Sequence, residues 1–171
     1  MNDQRSNKSF DYMDENGKII LRPIGVVHSP LSGKSNDAPF QSFVSDIKGT
    51  IEVFEEFEPG LDGIEKFSHI FVIYYMHEAE KIKLRTVPLM EEEERGIFAT
   101  RSPSRPNHLG ASTMRLLAHK SRFLDVEGLD IFDGTPVIDI KPYVAKVDIV
   151  KGVNSEWLTR KLEKIKGRKL E

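Results

Sequence analysis

The chain has 171 residues, the size of one domain, and can bury roughly two-thirds of its unfolded surface in a single core. It has no cysteine, which excludes a disulfide framework, thiolate zinc ligation and a thiol nucleophile, and no apolar run approaches the roughly 18 residues of a membrane span. Twenty-five Lys and Arg against 27 Asp and Glu give a formal net charge of −2, not the basic balance usual in nucleic-acid binders.

Met1–Gly17 is polar, with Phe10, Tyr12 and Met13 as the groups to bury, and predicts a weakly docked arm over 1–17. A β domain is expected over 18–153. Ile19–His28 is rich in branched residues but broken by Pro23 and Gly25, which points to an edge position or a bulge. Ser29–Gln41 is a long loop by composition, with two prolines and a glycine. Ile47–Phe54 alternates with the period of a half-buried strand, and Pro59–Phe67 suits a helical turn or a tight loop. His69–Met76 is almost continuously apolar, as in a strand covered on both faces. Strands are predicted at Gly96–Thr100 and Thr113–Val126 around a loop Arg101–Ser112, then at Pro136–Lys141 and Val144–Val150 after an Asp133–Gly134 turn. Helical spacing is good only over Ser155–Lys166, in a basic tail at 154–171. Six or seven strands without strand–helix alternation predict a mainly β fold, a small barrel or rolled antiparallel sheet with a C-terminal helix and no Rossmann domain.

Charge is unevenly spread. Between Gly96 and Leu124 there is no carboxylate, yet Arg101, Arg105, Arg115, Lys120 and Arg122 fall there; acid gathers between Glu52 and Glu65 and in Glu91–Glu94. Such segregation can make a local field for a polyanion, and a solvated mixed surface also accounts for it. Arg101-Ser102-Pro103-Ser104-Arg105-Pro106-Asn107-His108-Leu109-Gly110 is a rigid, donor-rich loop suited to a carboxylate, a phosphate or a purine edge. Asp130, Asp133, Asp139, Lys141 and Tyr143 form a second polar group among apolar strand residues, although Asp133-Gly134 is a turn signal first. His69 and His77 stand eight residues apart on one strand face, about 26 Å at strand rise, too far to share a metal. No H-E-x-x-H, G-x-S-x-G, G-x-G-x-x-G or P-loop pattern occurs, so no metal site, hydrolase triad or dinucleotide fold is expected.

Four blocks occur in order: Ile24-Gly25-Val26-Val27-His28-Ser29-Pro30; Gly63-Ile64-Glu65-Lys66-Phe67-Ser68-His69-Ile70; Gly96-Ile97-Phe98-Ala99-Thr100-Arg101-Ser102-Pro103 with Arg105-Pro106-Asn107; and Asp133-Gly134-Thr135-Pro136 through Ile140-Lys141-Pro142-Tyr143. Together they resemble the TsaA-like (TrmO-type) family of tRNA adenine N6-methyltransferases. The resemblance implies a small β-barrel enzyme, dimeric and cytoplasmic, that binds S-adenosylmethionine without a glycine fingerprint. It implies methylation of N6 of the threonylcarbamoyl-modified adenosine 3′ of the tRNA anticodon. Carried over by residue, cofactor contacts come from Pro39, Phe40, Gln41, His77, Glu78, Arg101, Leu109, Gly110, Ala111, Leu129, Asp130 and Ile131. Asp133 is the expected acceptor of the N6 proton. Arg105, Asn107, Arg115, Lys120, Arg122, Lys141 and Tyr143 are expected against the tRNA. Family members usually carry Pro-Asn-Pro-Ile-Gly where this chain has Pro106-Asn107-His108-Leu109-Gly110, and the stretch Lys81–Glu94 is shorter and more acidic than in many of them. Two other readings stay open: a non-catalytic domain that binds S-adenosylmethionine or RNA, and a methyltransferase with a non-tRNA substrate.

Overall fold

The computed structural model describes residues 14, 16–32, 45–88 and 92–154. Pro39, Phe40, Gln41 and the helix expected over Ser155–Lys166 lie outside the described residues. The strands are β1 (Gly25–His28), β2 (Lys48–Val53), β3 (His69–Tyr75), β4 (Arg85–Thr86), β5 (Arg95–Gly96), β6 (Leu109–Lys120), β7 (Phe123–Glu127) and β8 (Pro136–Pro142), followed by one helical turn, α1 (Ala145–Asp148). Six of them close into a barrel in the order β1-β2-β7-β6-β3-β8, and β4 pairs with β5 in a separate hairpin. Every pairing in the barrel is antiparallel. Closure leaves no barrel strand with an unpaired edge.

Alternation places one face of each strand inside. Val27, Ile51, Val53, Ile70, Val72, Met114, Leu124, Val126 and Val137 fill the interior, each no more than 1% exposed, with Leu129 and Ile131 joining after β7. Burial of this kind stabilises by about 1.5–3 kcal/mol per large aliphatic side chain. The 3₁₀ segments Glu55–Leu61 and Ile64–Lys66 occupy the predicted turn, and the first of them plugs the core with Leu61.

Several boundaries differ from the sequence expectation, each for a local reason. β1 is no edge strand: Gly25 pairs with Val53 on one side and Val137 on the other, and Pro23 lies before the strand begins. β3 is buried on one face only, through Ile70, Val72 and Tyr74, because the barrel is a single layer. The expected strand Thr113–Val126 is a hairpin whose turn falls at Ser121, held at φ +52°, and β6 already starts at Leu109, inside the expected loop. Gly96–Thr100 curls after Gly96 into a 3₁₀ turn, Ile97–Ala99; Thr100 Oγ1 donates to the Ile97 carbonyl at 2.9 Å and Ile97 is buried. Val144–Val150 is not a strand either. β3 begins only at His69, so the chain beyond Tyr143 has no ladder partner there, and the Asp148 carboxylate accepts the Val144 N–H at 2.6 Å to close α1.

The registers define two ends. One, the mouth, collects the end of β1, the start of β2, the end of β3, the start of β6, the end of β7 and the start of β8: His28 faces Thr50, Tyr75 faces Leu109, and Tyr74 faces Val137. The other, the base, holds His69, Lys120, Phe123 and Pro142.

Candidate functional site at the barrel mouth

Two polar side chains interrupt the apolar interior just below the mouth. Tyr74 is 8% exposed and Ser112 4%. The Tyr74 hydroxyl lies 3.2 Å from Ser112 Oγ, and Ser112 Oγ donates to Asp130 Oδ1 at 2.9 Å. Tyr74 stands at a register shift between β3 and β8, and across the barrel wall it faces Gly110. A Cβ at Gly110 would meet the Tyr74 ring at 2.3 Å, so glycine is what lets the ring lie across β6. Burial pushes the Tyr74 phenol up to about 12, with the Asp130 carboxylate acting in the same direction and Arg101 opposing.

The 101–108 loop is braced by its own side chains. Arg101 Nη2 donates to the Ala111 carbonyl at 2.9 Å, and Arg105 Nη1 to the Thr100 carbonyl at 2.7 Å. His108 adopts φ +48°, its Nδ1 is 2.8 Å from the Pro103 carbonyl, and its ring packs edge-on against Tyr75 at 6.1 Å. Proline cannot take that φ, so this loop closes in a way that a proline at position 108 forbids.

Opposite, the turn before β8 is tied to two neighbours. Ser29 N–H donates to Asp133 Oδ1 at 3.0 Å and Asp133 N–H to the Leu31 carbonyl at 2.8 Å, which pins the exit of β1. Gly134 supplies the φ of +74° that the turn requires. Thr135, 2% exposed, places Oγ1 3.2 Å from His77 Nδ1, and His77 Nε2 lies 3.4 Å from Glu78 Oε1.

The mouth therefore brings together His77, Glu78, Arg101, Leu109, Gly110, Ala111, Leu129, Asp130, Ile131 and Asp133, with Arg105 and Asn107 in the adjoining loop. Leu129 and Ile131 point their side chains into the core, and Leu129 N–H is taken by the Ile47 carbonyl at 3.1 Å. The remaining expected contacts lie elsewhere. Arg115 sits mid-strand, 3.3 Å from Glu127. Arg122 is at the base, 2.9 Å from Glu52 and stacked on Phe123, and Lys120 stands beside the same hairpin. Lys141 pairs with Asp139 at 2.6 Å, and Tyr143 packs on His69 near the base. Sequence reasoning missed Tyr74 and Ser112; the polar tip of Tyr74 within an apolar run was the available signal. Among the described residues, no three His, Asp or Glu side chains cluster as a metal would need, and no helix is long and apolar enough to cross a membrane.

Comparison with known proteins agrees with this architecture. The chain is 47% identical over 138 residues to an S-adenosyl-L-methionine-binding protein of Archaeoglobus fulgidus, covering 81% of this chain and 99% of that one. It is 30% identical over 146 residues to the human tRNA (adenine(37)-N6)-methyltransferase, covering 81% of this chain but 33% of the human protein. The crystal structure of TrmO from Pseudomonas aeruginosa superposes with a TM-score of 0.68 at 32% identity, covering 82% of this chain and 62% of that chain. The family model described as the tRNA-methyltransferase O N-terminal domain matches residues 26–149, most of the barrel and its mouth, and the chain belongs to that family.

Proposed function

We propose that this chain binds S-adenosylmethionine at the barrel mouth and directs methyl transfer to N6 of an adenine in tRNA. The acceptor in this reading is the threonylcarbamoyl-modified adenosine 3′ of the anticodon. The observation that carries it is the convergence at one barrel end of an arginine, two carboxylates and a histidine, all fixed by the fold. This donor set fits the cofactor: a guanidinium suits its carboxylate, and a carboxylate suits its ammonium or ribose hydroxyls. The Ser112 hydrogen bond to Asp130 shows a carboxylate already oriented from within the protein.

When bound, the cofactor supplies a sulfonium methyl carbon open to displacement. Arg101 and Asp130 hold and orient it, and much of the rate gain comes from that alignment. The apolar side chain of Leu109, at the start of β6, helps to keep water out. Asp133 uses Oδ1 for the Ser29 N–H, so Oδ2 is the atom that takes the N6 proton. Arg105 and Asn107 border the same opening and face the RNA. Apolar side chains exposed around the β4–β5 hairpin, Ile82, Leu84, Val87 and Phe98, support a homodimer.

Transfer of label from methyl-labelled cofactor into tRNA, read by nucleoside analysis on tRNA with and without the threonylcarbamoyl group, tests the reading. Asp133→Asn is expected to slow transfer by about 100-fold with unchanged cofactor affinity. Tight cofactor binding with no label in either tRNA would leave the cofactor and remove the acceptor.

A further inference from the structure

We propose that Tyr74 and Ser112 are positioning residues: they form a one-way chain of hydroxyl donors that aims the Asp130 carboxylate at a hydrogen-bond donor of the cofactor, its ammonium or a ribose hydroxyl. The proposal rests on the cofactor reading above and adds two residues to it.

The direction of the chain follows from counting hydrogens. Ser112 has one hydroxyl hydrogen, and it is committed to Asp130 Oδ1 at 2.9 Å. The contact at 3.2 Å between Tyr74 and Ser112 must then be donated by the phenol. Both hydrogens point toward Asp130, and the chain ends on a group that can only accept. A phenol that stays protonated at any ordinary pH suits the first link.

Packing alone does not call for this arrangement. Phe at 74 and Ala at 112 would fill an apolar barrel without hydroxyls to satisfy, and a buried hydroxyl is costly unless bonded. The fold also leaves position 110 without a side chain so that the ring can cross β6. Asp130 follows β7, at the end of the barrel where Arg101 lies, and both act on the Tyr74 phenol electrostatically.

Calorimetric titration of the full chain with S-adenosylmethionine, across Y74F, S112A, the double variant, D130N and R101A, tests the inference. S112A is expected to weaken binding by about tenfold and Y74F by about threefold, the range of a hydrogen bond to a charged group and of its support. Because Tyr74 acts through Ser112, the double variant is expected to bind no more weakly than S112A alone. A merely structural role predicts losses that multiply and follow the fall in melting temperature, and that result overturns the proposal. Unchanged affinity in both single variants overturns it too. D130N binding as tightly as the unmodified chain, while R101A binds weakly, removes the relay and leaves the cofactor reading standing. Absence of binding by the unmodified chain removes both. Repeating S112A with 5′-methylthioadenosine, which lacks the amino-acid arm, separates the two donors: a retained penalty assigns the ribose hydroxyl, a lost one the ammonium.

Discussion

The two ends of the barrel spend their polar groups differently. At the base, charges pair near the surface, Arg122 with Glu52 at 2.9 Å and Lys141 with Asp139 at 2.6 Å, and the His119 ring lies 3.6 Å from Glu65. Exposed pairs of this kind contribute about 0–1 kcal/mol and tolerate loss of either partner. At the mouth, hydroxyls are buried, and side chains brace backbone carbonyls across loops, as Arg101 does for Ala111 and Arg105 for Thr100. Removing one such partner leaves a desolvated group unmet, which costs about 1–3 kcal/mol. Similar residue types thus carry different weight, and the difference is burial. In the function proposed above the mouth is the end that holds the ligand, and substitutions there should have the larger effects.

The largest is expected at Gly110. Two ring carbons and the phenol oxygen of Tyr74 lie within 2.8 Å of a Cβ built there, so Gly110→Ala forces a rigid aromatic group to move. Overpacking of this kind costs about 3 kcal/mol, read by urea unfolding, and displaces the phenol from Ser112 so that cofactor affinity falls with it. Full stability in the alanine variant would show that the mouth is slacker than its geometry.

Next is alkaline stability. Tyr74 is raised from 10.0 in the open chain to about 12 in the fold. The folded state keeps its proton longer, so this contribution is complete below pH 10 and disappears as pH climbs toward 12. The amount is about 2.5 kcal/mol for a shift of that size. Tyr74→Phe should therefore lose less stability than the unmodified chain between pH 10 and 12, while both behave alike below pH 9.

Much of the barrel is legible in the sequence: period-2 alternation marks β2, and the apolar run of β3 marks a strand while overstating its burial, since the barrel covers one face only. The reading fails where branched residues lack a partner strand: the strands expected at Gly96–Thr100 and Val144–Val150 instead contain single helical turns at 97–99 and 145–148. At the site, Arg101 and Asp133 stand within the family blocks and Asp130 just before the last of them, whereas His77 lies in none of the blocks and is reached only through the family resemblance. Tyr74 and Ser112 look like ordinary strand residues in one dimension. Only the register, which sets Tyr74 against Gly110 with Ser112 two residues along β6, joins them to Asp130.

Arg101 is the third test. Arg101→Ala removes both the brace on Ala111 and the guanidinium, and cofactor affinity should drop at least about tenfold in calorimetry. A change smaller than twofold would move the anionic part of the ligand away from this loop and weaken the distinction between mouth and base.

The smallest effects belong to the base, and they discriminate between two neighbouring cations. Lys120 and Arg122 flank the tip of the β6–β7 hairpin, but the Arg122 guanidinium is already held by Glu52 and laid over Phe123 at 5.2 Å, whereas Lys120 makes no ion pair with a described residue. A cation already neutralised by a carboxylate releases few counterions when RNA approaches; an unpaired one releases about one. Lys120→Ala should therefore lower the slope of log tRNA affinity against log salt by about one, and Arg122→Ala should leave it unchanged. Neither should alter cofactor affinity by more than twofold, since both stand at the opposite end from Asp130. Equal slopes for the two variants and the unmodified chain would place the RNA wholly on the mouth side. A lower slope for Arg122→Ala as well would instead show that tRNA pulls the guanidinium off Glu52, which would extend the RNA contact at the base from Lys120 to the far side of the hairpin tip.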